Sequence, residues 1–131
     1  DQPLPEPYTK PPFDEFFRVF DRSPGRFSDG FLVALDGSQY VAVTLLEEEA
    51  AEPDQLFTAF TGVRRAHRGR GIALALKLRA LEVARAMGRK RLHTFNSSRN
   101  AAMLAINERL GFEKRPAHVG YVLDLEQEEE R

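Results

Sequence analysis

The sequence predicts one α/β domain built on a mixed (α+β) sheet, and three observations carry that prediction. Its 131 residues are enough for a single hydrophobic core. Short apolar runs with strand character alternate with segments whose apolar residues recur at helical spacing. Between them, the stretch Phe60 to Ala73 (FTGVRRAHRGRGIA) reads as a strand end, a basic glycine-punctuated turn and a helix start.

In chain order, residues 1–12 (DQPLPEPYTKPP) are a proline-rich, extended lead-in, and the domain proper is expected at 13–125. Phe13, Phe16, Phe17 and Phe20 have helical spacing and predict a short amphipathic helix that ends before Pro24-Gly25. Residues 31–35 and 40–46 read as a β-hairpin turning at Asp36-Gly37. An acidic loop (Glu47, Glu48, Glu49, Glu52, Asp54) leads into a third strand at 56–63. A long helix is expected at 71–86, stopped by Gly88. Ile72, Leu76, Ala80, Val83 and Met87 form its sheet-facing stripe. Leu74, Leu78 and Leu81 form a second stripe, which asks for another partner: the rest of the domain, a second copy of the chain, or a missing domain. A short strand follows at 91–96. Ser98 is the expected N-cap of a helix that runs to Leu110 and closes at Gly111. Asn100 and Asn107 lie along that helix's edge. Residues 112–114 and 118–125 read as two closing strands, and 126–131 (EQEEER) as an acidic tail.

Composition narrows the function classes. The 42% hydrophobic and 30% charged content is that of an ordinary globular domain, and no run of 18 apolar residues marks a membrane span. The absence of cysteine excludes a disulfide scaffold, a cysteine-based zinc site and an acyl-cysteine mechanism. No metal is expected, and the compartment expected is the cytoplasm. The net charge of −1 hides an asymmetry, because residues 62–93 hold ten Lys or Arg against one acid, Glu82. Such a middle suits a polyanionic cofactor or nucleic acid. Nucleic acid is disfavoured, since no aromatic platform accompanies the basic residues. The acidic loop reads either as a lure for a cationic amine or as a solvated turn.

The basic turn offers no Ser, Thr, Asp or Asn to cap the helix behind it, so the first backbone N–H groups await a partner. Gly69 and Gly71 allow close approach, and Arg68 and Arg70 add charge at the positive end of the helix dipole. A phosphate or diphosphate would meet every one of these conditions, and a water-satisfied surface turn is the bland alternative. The spacing fits neither GxxxxGK[ST] nor GxGxxG, where Leu74 stands in place of the third glycine.

Arg68-Gly69-Arg70-Gly71-Ile72-Ala73 does fit the acetyl-CoA signature Arg/Gln-x-x-Gly-x-Gly/Ala. A second block follows in order: Thr94-Phe95-Asn96, Asn100, Met103, Asn107 and Leu110-Gly111-Phe112. Over about residues 56–125 the chain thus resembles the GCN5-related N-acetyltransferase (GNAT) superfamily. The resemblance implies acetyl-CoA as cofactor and a backbone grip on pantetheine near Thr61 and Val63. It implies a diphosphate cradle at Arg68, Gly69, Arg70, Gly71, Ile72 and Ala73, and amide contacts from Asn96 and Asn100. For the two asparagines, local backbone bonding is the competing role.

Two departures from the family pattern matter. Asn107 occupies the position of a family Tyr that protonates the leaving thiolate, and Asn has no titrating proton. Tyr121 would substitute if its strand aimed it at the cleft. No general base is singled out among Glu47, Glu48, Glu49, Glu52, His67, His93 and His118. The family's opening strand and helix have no counterpart before Phe13, so the chain is expected to be the latter part of a longer or tandem protein. The reading is an acetyl-CoA-dependent N-acetyltransferase acting on an amine of a small molecule or peptide. Its competitors are a CoA-binding module without catalysis and a nucleic-acid-binding domain.

Overall fold

A computed structural model of the chain describes residues 12–22, 24–123 and 125. The lead-in before Pro12 and the tail at 126–131 lie outside the described residues. Helix α1 (Phe13–Arg22) places Asp14 and Glu15 in its first turn and Arg22 in its last, as the helix dipole favours. Strands β1 (Arg26–Asp36) and β2 (Gln39–Glu48) form the expected hairpin around Gly37, at φ 60°. Strand β3 (Gln55–Val63) pairs antiparallel with β2. Helix α2 (Ile72–Ala86) then carries the chain over the sheet to β4 (Arg91–Thr94), which lies parallel to β3. The sheet order is β1-β2-β3-β4, and α3 (Ala101–Arg109) follows.

The core lies between α2 and one face of this sheet. Leu46, Leu56, Ala80 and Ala84 form its centre, with Phe27, Leu32, Val83 and Leu92 packed around them. The two alanines give α2 a narrow face on which the sheet can come close. The buried side of the helix is Leu76, Lys77, Ala80 and Ala84, a face rotated from the expected stripe. Met87 is left 37% exposed, while Lys77 is drawn inside at 3%. On the second stripe Leu78 is exposed and Leu74 and Leu81 are half-buried.

The acidic loop has a structural partner. Glu48 Oε1 accepts from Arg89 Nη2 at 2.5 Å, Arg89 Nη1 donates to the Pro53 carbonyl, and Glu47 pairs with Arg26 at 3.0 Å. Lys90 faces Asp54 and Arg91 faces Glu52, each at 3.9 Å. The loop is therefore tied to the connection between α2 and β4. The same pairings divide the basic middle: its end at 89–91 meets acids, and its start at 64–70 forms the turn before α2.

Two sequence expectations fail after β4. The strand stops at Thr94, and α3 is capped by Asn100 in place of Ser98, its side chain accepting from Met103 N–H at 3.3 Å. Residues 112–123 form no strand, against the expected closing pair at 112–114 and 118–125, of which Asp124 lies outside the described residues. Alternating apolar residues form a strand only beside an edge that supplies hydrogen bonds, and β4 offers four residues before it leaves the sheet. No helix among the described residues is long and apolar enough to cross a membrane.

Burial of Lys77 has a thermodynamic consequence. Desolvation lowers its pKa from 10.5 to about 8, so the unfolded chain binds more protons than the folded one between those values. Stability should rise with pH across that interval, and the burial penalty should be complete below pH 8. Lys77→Met is expected to stabilise the fold at pH 7 by up to about 3 kcal/mol, less whatever a partly wetted ammonium tip recovers. Denaturant unfolding of both proteins at pH 7 and pH 10.5 checks this, and the advantage should shrink at the higher pH.

Candidate active site

The site begins where two parallel strands separate. β3 pairs with β4 from Gln55↔Arg91 to Thr58↔Thr94, after which β4 ends and β3 continues to Val63. At the parting point the β2 register jumps from Leu45↔Phe60 to Leu46↔Thr58, so Ala59 is an extra residue bulging from β3. Beyond the bulge, Arg64 N–H donates to the Val41 carbonyl at 2.8 Å. Antiparallel pairs alternate between hydrogen-bonded and non-bonded, so Thr61 and Val63 occupy the non-bonded pairs with β2. Their backbone N–H and C=O groups therefore face the edge that β4 has vacated.

At the end of that edge stands the turn. A short 3-10 helix (Arg65–His67) leads to Gly69 at φ 76° and Gly71 at φ 78°, both in the left-handed region. Gly71 is the N-cap of α2 and has no side-chain cap; the first intrahelical bond is Ala75 N–H to Gly71 O, at 3.0 Å. The amides of Gly71, Ile72, Ala73 and Leu74 are thus left without intrahelical acceptors. A Cβ at Gly69 or Gly71 would meet nothing within 4 Å, so the space beside these two glycines is open. Arg64, Arg65, Arg68 and Arg70 are exposed around it. Arg68 also braces the turn, because its Nε donates to the Val63 carbonyl at 3.1 Å. His67 is oriented by Asp36 of the hairpin, with Nε2 and Oδ2 3.5 Å apart.

The second block lies on α3 and its flanks. Asn107 is buried at 7%, and its Nδ2 donates to Asn96 Oδ1 at 2.7 Å. Its own Oδ1 is buried without a hydrogen-bond partner. The helix closes in a Schellman motif, with Gly111 N–H on Glu108 O and Phe112 N–H on Asn107 O, Gly111 supplying φ 90°. Phe112 is thereby fixed beside Asn107, and the Lys77 ammonium lies 5.5 Å from the centre of its ring.

The sequence-derived residues thus fall into distinct groups. Thr61, Val63, Arg68, Gly69, Arg70, Gly71, Ile72 and Ala73 follow one another along the open edge and the turn. Asn96 and Asn100 both carry out local work, one bonded to Asn107 and the other capping α3. Tyr121 is 93% exposed on the irregular segment after Phe112, so the strand that was to aim it at a cleft is not there. His93 and His118 both approach the Phe95 ring, at 4.6 and 5.9 Å between centroids. Among the described residues no cluster of three or more His, Cys, Asp or Glu could hold a metal ion. The reading of the sequence passed over Lys77. Its signal was present in the spacing, since Lys77 shares one helical face with Ala73, Ala80 and Ala84.

A family model described as the acetyltransferase (GNAT) family matches residues 1–112. No curated protein matches the sequence. Among solved structures, an IAA acetyltransferase from Bacillus cereus is 25% identical with a TM-score of 0.57. That match covers 60% of this chain and 51% of the other, so the chain spans about half of that enzyme's length. An aminoglycoside acetyltransferase from an uncultured soil metagenomic sample is 22% identical, with a TM-score of 0.61 and coverage of 88% and 77%. AAC(6')-Iy in complex with a bisubstrate CoA analogue is 17% identical, with a TM-score of 0.58 and coverage of 70% and 67%.

Asn100 separates capping from ligand contact. Asn100→Ala should cost roughly 1 kcal/mol of stability through loss of the cap. Asn100→Ser keeps a capping oxygen without adding charge and should melt close to wild type. A calorimetric CoA titration of the Ser variant then reads the lost amide: weaker binding with an unchanged melting temperature would assign the NH₂ group to the ligand.

Proposed function

This chain belongs to the acetyltransferase (GNAT) family, and we propose that it moves an acetyl group from acetyl-CoA to an amine of a small molecule or peptide by direct attack in a ternary complex. The observation that carries this reading is the uncapped start of α2, standing open at the end of the edge that β4 vacates. Bound acetyl-CoA would supply the acyl group as a thioester. The amides of Gly71, Ile72 and Ala73 would receive its diphosphate, helped by the dipole of α2 and the charge of Arg70. Gly69 provides the reversal that aims those amides outward. Arg68 holds the Val63 carbonyl and so fixes the turn against the strand.

Along this edge, the Thr61 backbone and the Val63 N–H would lie against a pantetheine arm, the Val63 carbonyl being held by Arg68. Asn96 and Asn100, at the far side of the parting, would offer amide groups to its inner end. The main catalytic contribution is to hold thioester and amine in reacting geometry. AAC(6')-Iy, in complex with a bisubstrate CoA analogue, is a precedent in this fold for a CoA moiety and an amine-bearing substrate held together. A CoA-binding module without turnover is the competing reading, favoured by Asn107 at the position of the family's acid.

CoA is expected to stabilise the protein by about 2.7 kcal/mol at a hundredfold excess over its Kd, and Gly71→Glu should abolish this. The glutamate would force a Cβ onto a left-handed residue and place a negative charge where the diphosphate sits. Thermal-shift titration of both proteins checks this, and equal stabilisation of the two would place the cofactor elsewhere. CoA binding without thioester turnover across an amine panel would favour the module.

A further inference from the structure

Polar groups are rare in this interior and they are concentrated. The buried polar or charged residues among those described are Thr44, Thr58, Thr61, Lys77 and Asn107. Thr58 pairs with Leu46 and Thr61 with Thr44, so the three threonines lie on the sheet face that α2 covers. Thr44 Oγ1 donates to the Phe60 carbonyl at 3.1 Å and lies 2.7 Å from Thr61 Oγ1. Lys77 belongs to the same layer. Ala80 and Ala84 pack at the level of Leu46 and Leu56, and α2 runs antiparallel to β3, so Lys77 lies one turn nearer the glycine turn. One turn is about 5.4 Å, the rise of one to two strand residues, which sets Lys77 at the height where β3 and β4 part.

From this placement, and resting on the acetyl-CoA reading above, we propose that Lys77 is the acid that protonates the departing sulfur, in the role the family's tyrosine would have filled at Asn107. Three further features support the assignment. Among the described residues Lys77 has no carboxylate within ion-pairing distance, so its ammonium is not committed to a structural salt bridge; its neighbour is the Phe112 ring. Phe112 is held by the Schellman motif onto Asn107, whose buried Oδ1 lacks a donor that an arriving ligand could bring. Burial brings Lys77 to about 8, close to the 8.5 of an ordinary thiol, so transfer between them is nearly balanced.

The step conserves atoms and charge. The acceptor nitrogen forms a bond to the acetyl carbon, the carbon–sulfur bond breaks and its electron pair stays on sulfur. Lys77 Nζ gives that sulfur a proton and becomes a neutral amine. The surplus proton of the new amide nitrogen passes to water, and Lys77 is recharged from solvent.

The test uses CoA alone and needs no acceptor. Binding of CoA to wild type, Lys77→Met and Lys77→Gln is measured first by calorimetry. The bound thiol is then titrated by thiolate absorbance in the ultraviolet. An ammonium beside the sulfur should lower the thiol's apparent pKa by about one unit in wild type relative to both variants, a tenfold larger thiolate fraction below the transition. Identical thiol titrations in all three, with CoA bound by all, would overturn the assignment while leaving the acetyl-CoA reading intact. Failure of wild type to bind CoA would overturn both. Equal melting behaviour of the CoA-free variants, or the gain predicted for Lys77→Met, excludes misfolding as the cause of a difference.

Discussion

The separation of β3 from β4 is the constraint from which the rest of this structure follows. Four ladder pairs hold the two strands together, and the end that carries the acidic loop is clamped by Arg89 across Glu48 and Pro53. At the other end β4 turns away and β3 runs on alone, with the Ala59 bulge at the point of parting. A sheet edge left this way holds backbone donors and acceptors that must find partners. The chain then reverses through two left-handed glycines and exposes amides without intrahelical partners at the start of α2. Both sets are backbone groups. The fold itself, more than any side chain, makes the site.

Burial of Lys77 costs the fold stability. An apolar residue on that face of α2 would pack against the same sheet without desolvating an ammonium. Residues held at a thermodynamic disadvantage tend to collect where function asks for them, and the trade between stability and activity is a general one. Here the disadvantage falls on the same layer as the three buried threonines and beside the Phe112 ring.

Much of this was legible in the sequence for identifiable reasons. Gly37, Gly88 and Gly111 mark the ends of elements because their backbones need a conformation that other residues adopt at a cost. The missing cap before Ile72 was visible as an absence of oxygen-bearing side chains in the turn. What could not be read was governed by neighbours remote in sequence. The apolar alternation at 118–123 has strand character, but no ladder receives it. Ser98 has the chemistry of a cap, yet Asn100 takes that place two residues later, adjacent to the first helical residue. The helical wheel located an apolar stripe correctly in kind but not in angle, because the sheet selected the small residues Ala80 and Ala84, and Lys77 travelled inward with them.

The pairing of the acidic loop has a kinetic corollary. Glu48, Glu52 and Asp54 are matched by Arg89, Arg91 and Lys90, so the two sets of charge largely cancel at that end of the molecule. Arg64, Arg65, Arg68 and Arg70 gather at the opposite end. A chain that is nearly neutral overall thus carries a local concentration of positive charge at the turn before α2. Polyanions diffusing nearby would be drawn toward that turn before touching it, and their encounter rate would fall with added salt.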